Sequence, residues 1–101
     1  MIVVNGLLET TEENLRAIKH GIGQVEVASQ AEAGCHDYTF SVELNNPNIL
    51  RITECWDSPE ALQAHFQAEH MATFQALLAE HQPIKLEVKF YEAQVMPSPF
   101  D

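Results

Sequence analysis

Positive charge is scarce in this chain. Five Lys and Arg stand against fifteen Asp and Glu, for a formal net charge of −10, and the five (Arg16, Lys19, Arg51, Lys85 and Lys89) are scattered. Phosphate binding needs clustered cations, so nucleic acid and anionic membrane are poor partners, and neutral or apolar ligands are favoured. Cysteine is scarce too. Cys35 and Cys55 are too few and too far apart for a zinc ribbon or a redox Cys-x-x-Cys pair, and reduced thiols are expected. No stretch approaches the roughly 18 apolar residues of a membrane span, and Met1–Gly6 lacks the basic start and apolar run of a signal peptide. There is no glycine-rich phosphate loop, internal repeat or low-complexity run. A cytoplasmic protein is the expectation.

What is present suffices for one core. At 101 residues and 46% hydrophobic content, the chain has the size of a single domain, expected over residues 1–94, with residues 95–101 as a tail containing Pro97 and Pro99. So small a domain buries a modest fraction of its surface, and a partner chain covering an apolar sheet face would add stability. A homodimer is therefore expected, with Ile2, Val4, Ile49 and Cys55 on the paired face.

Residues 2–8 read as a strand, and Thr10-Thr11-Glu12-Glu13 as a helix start with carboxylates in its first turn. Leu15, Ile18, Ile22, Val25 and Ser29 recur at spacings of three and four, which predicts a helix over about 11–31. After Gly34, Tyr38, Phe40, Val42 and Leu44 alternate with polar residues, Asn45-Asn46-Pro47-Asn48 reads as a turn, and Leu50, Ile52, Glu54 and Trp56 share one face of the returning strand. The expected register sets Leu44 opposite Leu50, Val42 opposite Ile52, Phe40 opposite Glu54, Tyr38 opposite Trp56 and Thr39 opposite Cys55. Cys35 is then out of reach of a disulfide. Ser58-Pro59-Glu60 is a strong helix start, with Ala61, Leu62, His65 and Phe66 as its packing face. A break near Ala68-Glu69 separates it from a second helical stretch over about 69–81, which presents Met71, Phe74, Leu77 and Leu78. Residues 84–94 alternate again as a last strand, with Ile84, Leu86, Val88 and Phe90 on one face. The order β-α-β-β-α-β, its second helix broken, is that of an α+β ferredoxin-like fold with an antiparallel sheet.

Three runs carry a family resemblance: Ala31-Glu32-Ala33-Gly34-Cys35-His36-Asp37-Tyr38, Ile52-Thr53-Glu54-Cys55-Trp56, and Ser58-Pro59-Glu60-Ala61-Leu62-Gln63-Ala64-His65-Phe66 with His70. Together they resemble the antibiotic biosynthesis monooxygenase domain, over Ile2 to Glu92. The resemblance implies a dimeric α+β barrel with a pocket between sheet and helices. It also implies activities that range from quinol monooxygenases and polyketide-tailoring oxygenases to heme-degrading enzymes and an isomerase of a phosphorylated sugar. Heme-degrading members carry an asparagine on the first strand, a tryptophan on the helix after the hairpin and a histidine ten residues later as iron ligand. Asn5 matches the first, but His65 and Gln75 stand at the other two positions. Glutamine is a poor iron ligand, so heme degradation would need another histidine, His70 or His81, to ligate instead, and the expectation is a protein without a cofactor.

The residues weighed for chemistry follow from that frame. His65 is read as a general base or as a satisfied buried imidazole. Glu54, on an apolar face beside Trp56, is read as a desolvated carboxyl able to exchange protons with a quinol, or as a structural acceptor. Asn5, an amide on an apolar strand, either orients a ligand oxygen or satisfies backbone. These three are expected to share one cavity. Trp56, Phe40, Tyr38, Phe74 and His70 would line it for substrate. His65 and His70 are five apart, not the three or four that stack two ligands on one helix face, so no metal is expected. The resulting expectation is cofactor-independent monooxygenation of a quinol, polyphenol or similar aromatic molecule, with molecular oxygen as the other partner. An isomerase of a small carbonyl compound and a non-catalytic dimeric ligand-binding protein are the alternatives.

Overall fold

The structure, a computed structural model, describes residues 1–100. Among them the order is β1 (Ile2–Glu9), α1 (Glu12–Gln30), β2 (Cys35–Glu43), β3 (Asn46–Trp56), α2 (Pro59–Phe66), α3 (Glu69–Glu80) and β4 (Lys85–Glu92). The strands form one antiparallel sheet ordered β2-β3-β1-β4, the ferredoxin-like α+β arrangement expected.

Local signals set the helix ends. The Thr11 hydroxyl accepts from the Asn14 amide at 3.1 Å, Glu12 and Glu13 occupy the positive end of the α1 dipole, and the stripe Ile18, Ile22, Val25 and Ser29 is buried. At α2, Ser58 Oγ accepts from the Ala61 amide at 3.2 Å and Pro59 opens the helix. The break falls where the chain tightens: the Gln67 and Ala68 amides donate three residues back, to Ala64 and His65. Ala68 then turns extended, at φ −70° and ψ 145°, to start α3.

The hairpin departs from expectation. The turn is Leu44-Asn45, and β3 already begins at Asn46, so Asn46-Pro47-Asn48 lies in the strand. Val42 faces Leu50, Phe40 faces Ile52 and Tyr38 faces Glu54, two residues from the expected register, and Cys55 faces Asp37. A register irregularity between Val42 and Glu43 absorbs the difference on the β3 side, where Pro47 has no amide to give the ladder. Because the offset is even, Tyr38, Phe40, Leu50, Ile52 and Glu54 keep their expected face, while Leu44 leaves the strand for the turn. Cys35 and Cys55 are both free thiols.

The core lies between the sheet and its helices. Ile2, Val4 and Leu8 of β1 are buried there with Tyr38, Leu50, Trp56, Ile18, Leu62 and Phe74. Ile2 and Val4 therefore do not belong to the open sheet face, where they had been expected. The alternation of β1 puts Val3, Asn5 and Leu7 on that side instead, level with Cys55, Thr53 and Arg51 of β3 and Tyr91, Lys89 and Glu87 of β4. That face is too polar to need covering on hydrophobic grounds alone. Exposed apolar surface is found on the helix side of β4, at Leu86, Val88 and Phe90. Residues 93–100 have no helix or strand, and Val95, Met96 and Phe100 are exposed. Asp101, the last residue of the expected tail, lies outside the described residues.

Gly34 links α1 to β2 at φ +80°, and a Cβ there would stand 2.8 Å from Ala61 Cβ. An L side chain in this region costs roughly 1–2 kcal/mol before any clash is counted. Gly34→Ala should therefore lower the melting temperature by about 4 °C or more. An unchanged melt would show that this connection relaxes freely.

Candidate functional site

A cavity of about 230 Å³ opens between the sheet and α3. Its walls include Tyr38, Phe40, Glu54, Met71, Phe74 and Phe90. Alternation on β2 and β3 aims Tyr38, Phe40 and Glu54 at the helices, and the second turn of α3 brings Phe74 against them. Tyr38 meets Phe40 edge-on at 6.1 Å between centroids, and Phe40 meets Phe74 likewise at 5.8 Å, the geometry aromatic quadrupoles favour.

Glu54 is the one carboxyl group on this wall among the described residues. It is 7% exposed and accepts a hydrogen bond from Trp56 Nε1 at 2.9 Å. Burial raises its pKa above the ordinary carboxylate value, with the Trp56 hydrogen bond and His65 opposing the shift and Glu32 adding to it. Burial, with the nearby Glu54 charge, also pushes the Tyr38 hydroxyl up, so Tyr38 stays a protonated phenol. Its hydroxyl donates only weakly, to Met71 Sδ at 3.9 Å.

The raised Glu54 pKa has a sign for stability. The folded chain holds this proton more tightly than the unfolded one, whose glutamate titrates near 4.3. The associated stability is thus fully present below about pH 4 and is lost as pH rises through the folded value. Glu54→Gln keeps an acceptor for Trp56 and removes the ionisation. It should melt higher than the parent at pH 8 and no higher at pH 4, and calorimetry showing the reverse order would contradict the assigned direction.

His65 lies elsewhere. It is fully buried, with its ring 4.6 Å from Trp56 and 5.2 Å from Tyr38 between centroids, and it is not part of the cavity wall. Its Nδ1 lies 2.6 Å from Glu32 Oε2. A carboxylate oxygen accepts, so Nδ1 donates and fixes the ring. Nε2 is buried with no hydrogen-bond partner among the described residues. His70 Nε2 donates to the same Glu32 oxygen at 2.8 Å, and the two imidazole centroids stand 5.9 Å apart. The spacing argument against a pair fails because the two histidines are on different helices, and the break between α2 and α3 turns both toward Glu32.

Asn5 is exposed on the opposite sheet face, beside Thr53 and Lys89. The expected constellation of Asn5, His65 and Glu54 around one cavity is therefore not what the fold builds: period two along β1 gives the inward positions to Val4 and Gly6. Of the expected lining, Tyr38, Phe40 and Phe74 are in place. Trp56 is buried behind the wall and holds Glu54. His70 lines a separate groove between α1 and α3 with His20, Gln24, Thr73 and Glu80. Gln75, where heme-degrading relatives have their iron ligand, does face the cavity. Glu32 was not among the residues weighed for chemistry. Its sequence signal is its place, two residues before Gly34, in the first of the three runs that carry the family resemblance.

The fold that carries this site has close counterparts among known structures. A candidate antibiotic biosynthesis monooxygenase from Deinococcus radiodurans superposes with a TM-score of 0.89 at 24% identity, over 97% of each chain. A conserved protein from Methanosarcina mazei gives 0.85 at 26% over 92% of each. Rv0793 from Mycobacterium tuberculosis gives 0.85 at 18%, over 96% of this chain and 98% of that one. No curated protein matches the chain. The family model for antibiotic biosynthesis monooxygenase matches residues 1–77, which span β1 through most of α3 and hence the cavity lining except Leu78 and the β4 residues. The chain belongs to the antibiotic biosynthesis monooxygenase family.

Proposed function

We propose that this chain oxygenates a quinol, polyphenol or similar ionisable aromatic molecule in the cavity between sheet and α3, without a cofactor. The observation that supports this reading is one buried carboxyl of raised pKa on an otherwise aromatic and aliphatic wall. Flat walls at Phe40 and Phe74 suit an aromatic ring. Glu54, made a better base by its burial, accepts a phenolic proton, while the protonated Tyr38 hydroxyl is free to leave its weak Met71 contact and donate to a substrate oxygen.

The phenolate so formed, held away from water, is the electron donor to oxygen. For a simple hydroquinone the balance closes without further reagents: hydroquinone and O2 give hydroxyquinone and water. One oxygen atom enters the ring, the other leaves as water, and the substrate supplies all four electrons. His65 does not touch the substrate in this scheme. It is a positioning residue that lowers the Glu54 pKa and packs behind Trp56. Self-association is proposed with it, through the exposed apolar row Leu86, Val88 and Phe90, and light scattering giving 11.4 kDa throughout the micromolar range would count against that part.

Oxygen-electrode assays across a panel of hydroquinones and catechols test the reaction. Stoichiometric oxygen uptake with formation of the hydroxylated quinone supports it. Substrate rearrangement without oxygen uptake would point to an isomerase, and saturable binding without turnover to a ligand-binding protein.

A further inference from the structure

We propose that Glu32, His65 and His70 form a binding site for one divalent cation of the zinc class, at the inner end of the groove between α1 and α3. This site is separate from the aromatic cavity and does not depend on the proposed oxygenation, since none of the three lines that cavity. The three residues come from three segments: Glu32 from the connection after α1, His65 from α2, and His70 from the first turn of α3. One ligand atom from each lies within 4.8 Å of the other two. Two imidazoles with one carboxylate are the donor set that borderline cations such as Zn²⁺ and Co²⁺ take, whereas Ca²⁺ and Mg²⁺ call for oxygen ligands.

Burial grades across the site as a cation site requires. The His65 side chain is fully buried, and those of Glu32 and His70 are 16% and 26% exposed, so the site is reached from the side of Glu32 and His70, the latter lining the groove. In the structure both imidazoles donate to one Glu32 oxygen, at 2.6 and 2.8 Å. Ligand atoms around a tetrahedral cation at about 2.0–2.1 Å stand about 3.3 Å apart. Glu32 would have to withdraw from each ring by several tenths of an ångström, and the two ring nitrogens, which lie within 4.8 Å of one another, would have to settle at that same separation, for the ion to sit between the three.

Proton accounting is simple. As a ligand each imidazole is neutral and carries its proton on the other ring nitrogen, Nε2 in His65 and Nδ1 in His70. His65 Nε2 is the atom with no hydrogen-bond partner among the described residues, so no existing bond is broken there. The formal charge of −10 draws cations to the molecule. A bound ion would also tie α1, α2 and α3 together across the Gln67-Ala68 break, so binding should stabilise the fold.

Calorimetric titration of the chelator-stripped full chain with ZnCl2, paired with Co²⁺ absorption, tests this. The expected result is one ion per chain at micromolar or tighter affinity, ligand-field bands of low-coordinate Co²⁺, and a melting temperature that rises with Zn²⁺. His70→Ala and Glu32→Gln, confirmed as folded by circular dichroism, should each weaken binding at least tenfold. His36→Ala, which removes an exposed histidine paired with Asp57, should leave it unchanged. No saturable binding by the parent at submillimolar Zn²⁺, or parent-like affinity in both His70→Ala and Glu32→Gln, would overturn the proposal and leave the triad as a hydrogen-bond network alone.

Discussion

Glu54→Gln should lower kcat/KM for an ionisable hydroquinone by about a hundredfold, the usual cost of losing a general base. The substitution preserves shape and still accepts from Trp56 Nε1, so the loss isolates the charge from the hydrogen bond. Raising the pH toward the substrate's own phenolic pKa should restore much of the rate, because the substrate then arrives ionised. The same variant is expected to be more stable than the parent above the Glu54 pKa. A gain in stability coupled to a loss in turnover is the signature of a desolvated catalytic group. A variant equally active and equally stable at all pH values would remove Glu54 from the account.

Trp56→Ala should be the most damaging single truncation for the fold. Trp56 is fully buried, meets Tyr38 edge-on at 6.4 Å, lies against His65, and donates to Glu54. Emptying such a site costs about 3–5 kcal/mol, a drop in melting temperature of more than about 12 °C for a domain of this size. Trp56→Phe should recover most of that loss. It still deprives Glu54 of its donor, so the carboxyl pKa should move further up, and the low-pH limb of a pH–rate profile, where the base becomes protonated, should move to higher pH with it. A Trp56→Ala melt within a few degrees of the parent would mean that Trp56 is not the keystone of this wall.

Period-two alternation made Tyr38, Phe40 and Glu54 legible as one face from the sequence, and that reading survived even a two-residue error in hairpin register. The error itself came from treating Asn45-Asn46-Pro47-Asn48 as the turn. Proline and asparagine do favour turns, but here they sit in a strand irregularity, which composition cannot distinguish from a turn. The break between α2 and α3 was readable, and its consequence was not. A spacing of five forbids two histidines from sharing one helix face, yet once the helix breaks, spacing says nothing about distance, and Glu32 joins the pair from a loop more than thirty residues earlier. Asn5 was expected inward because Ile2 and Val4 were expected on the open face. Burial of Ile2 and Val4 in the core reverses that assignment, and alternation then sends Asn5 outward.

Binding of an ionisable aromatic molecule beside Glu54 can be followed by the fluorescence of Trp56, the chain's single tryptophan, in a titration with a hydroquinone under nitrogen. Because Trp56 is hydrogen-bonded to Glu54, which forms part of the cavity wall, the expected result is a saturable change at one ligand per chain, weakened in Glu54→Gln. A signal that rises linearly without saturation, or one identical for the parent and Glu54→Gln, would contradict it.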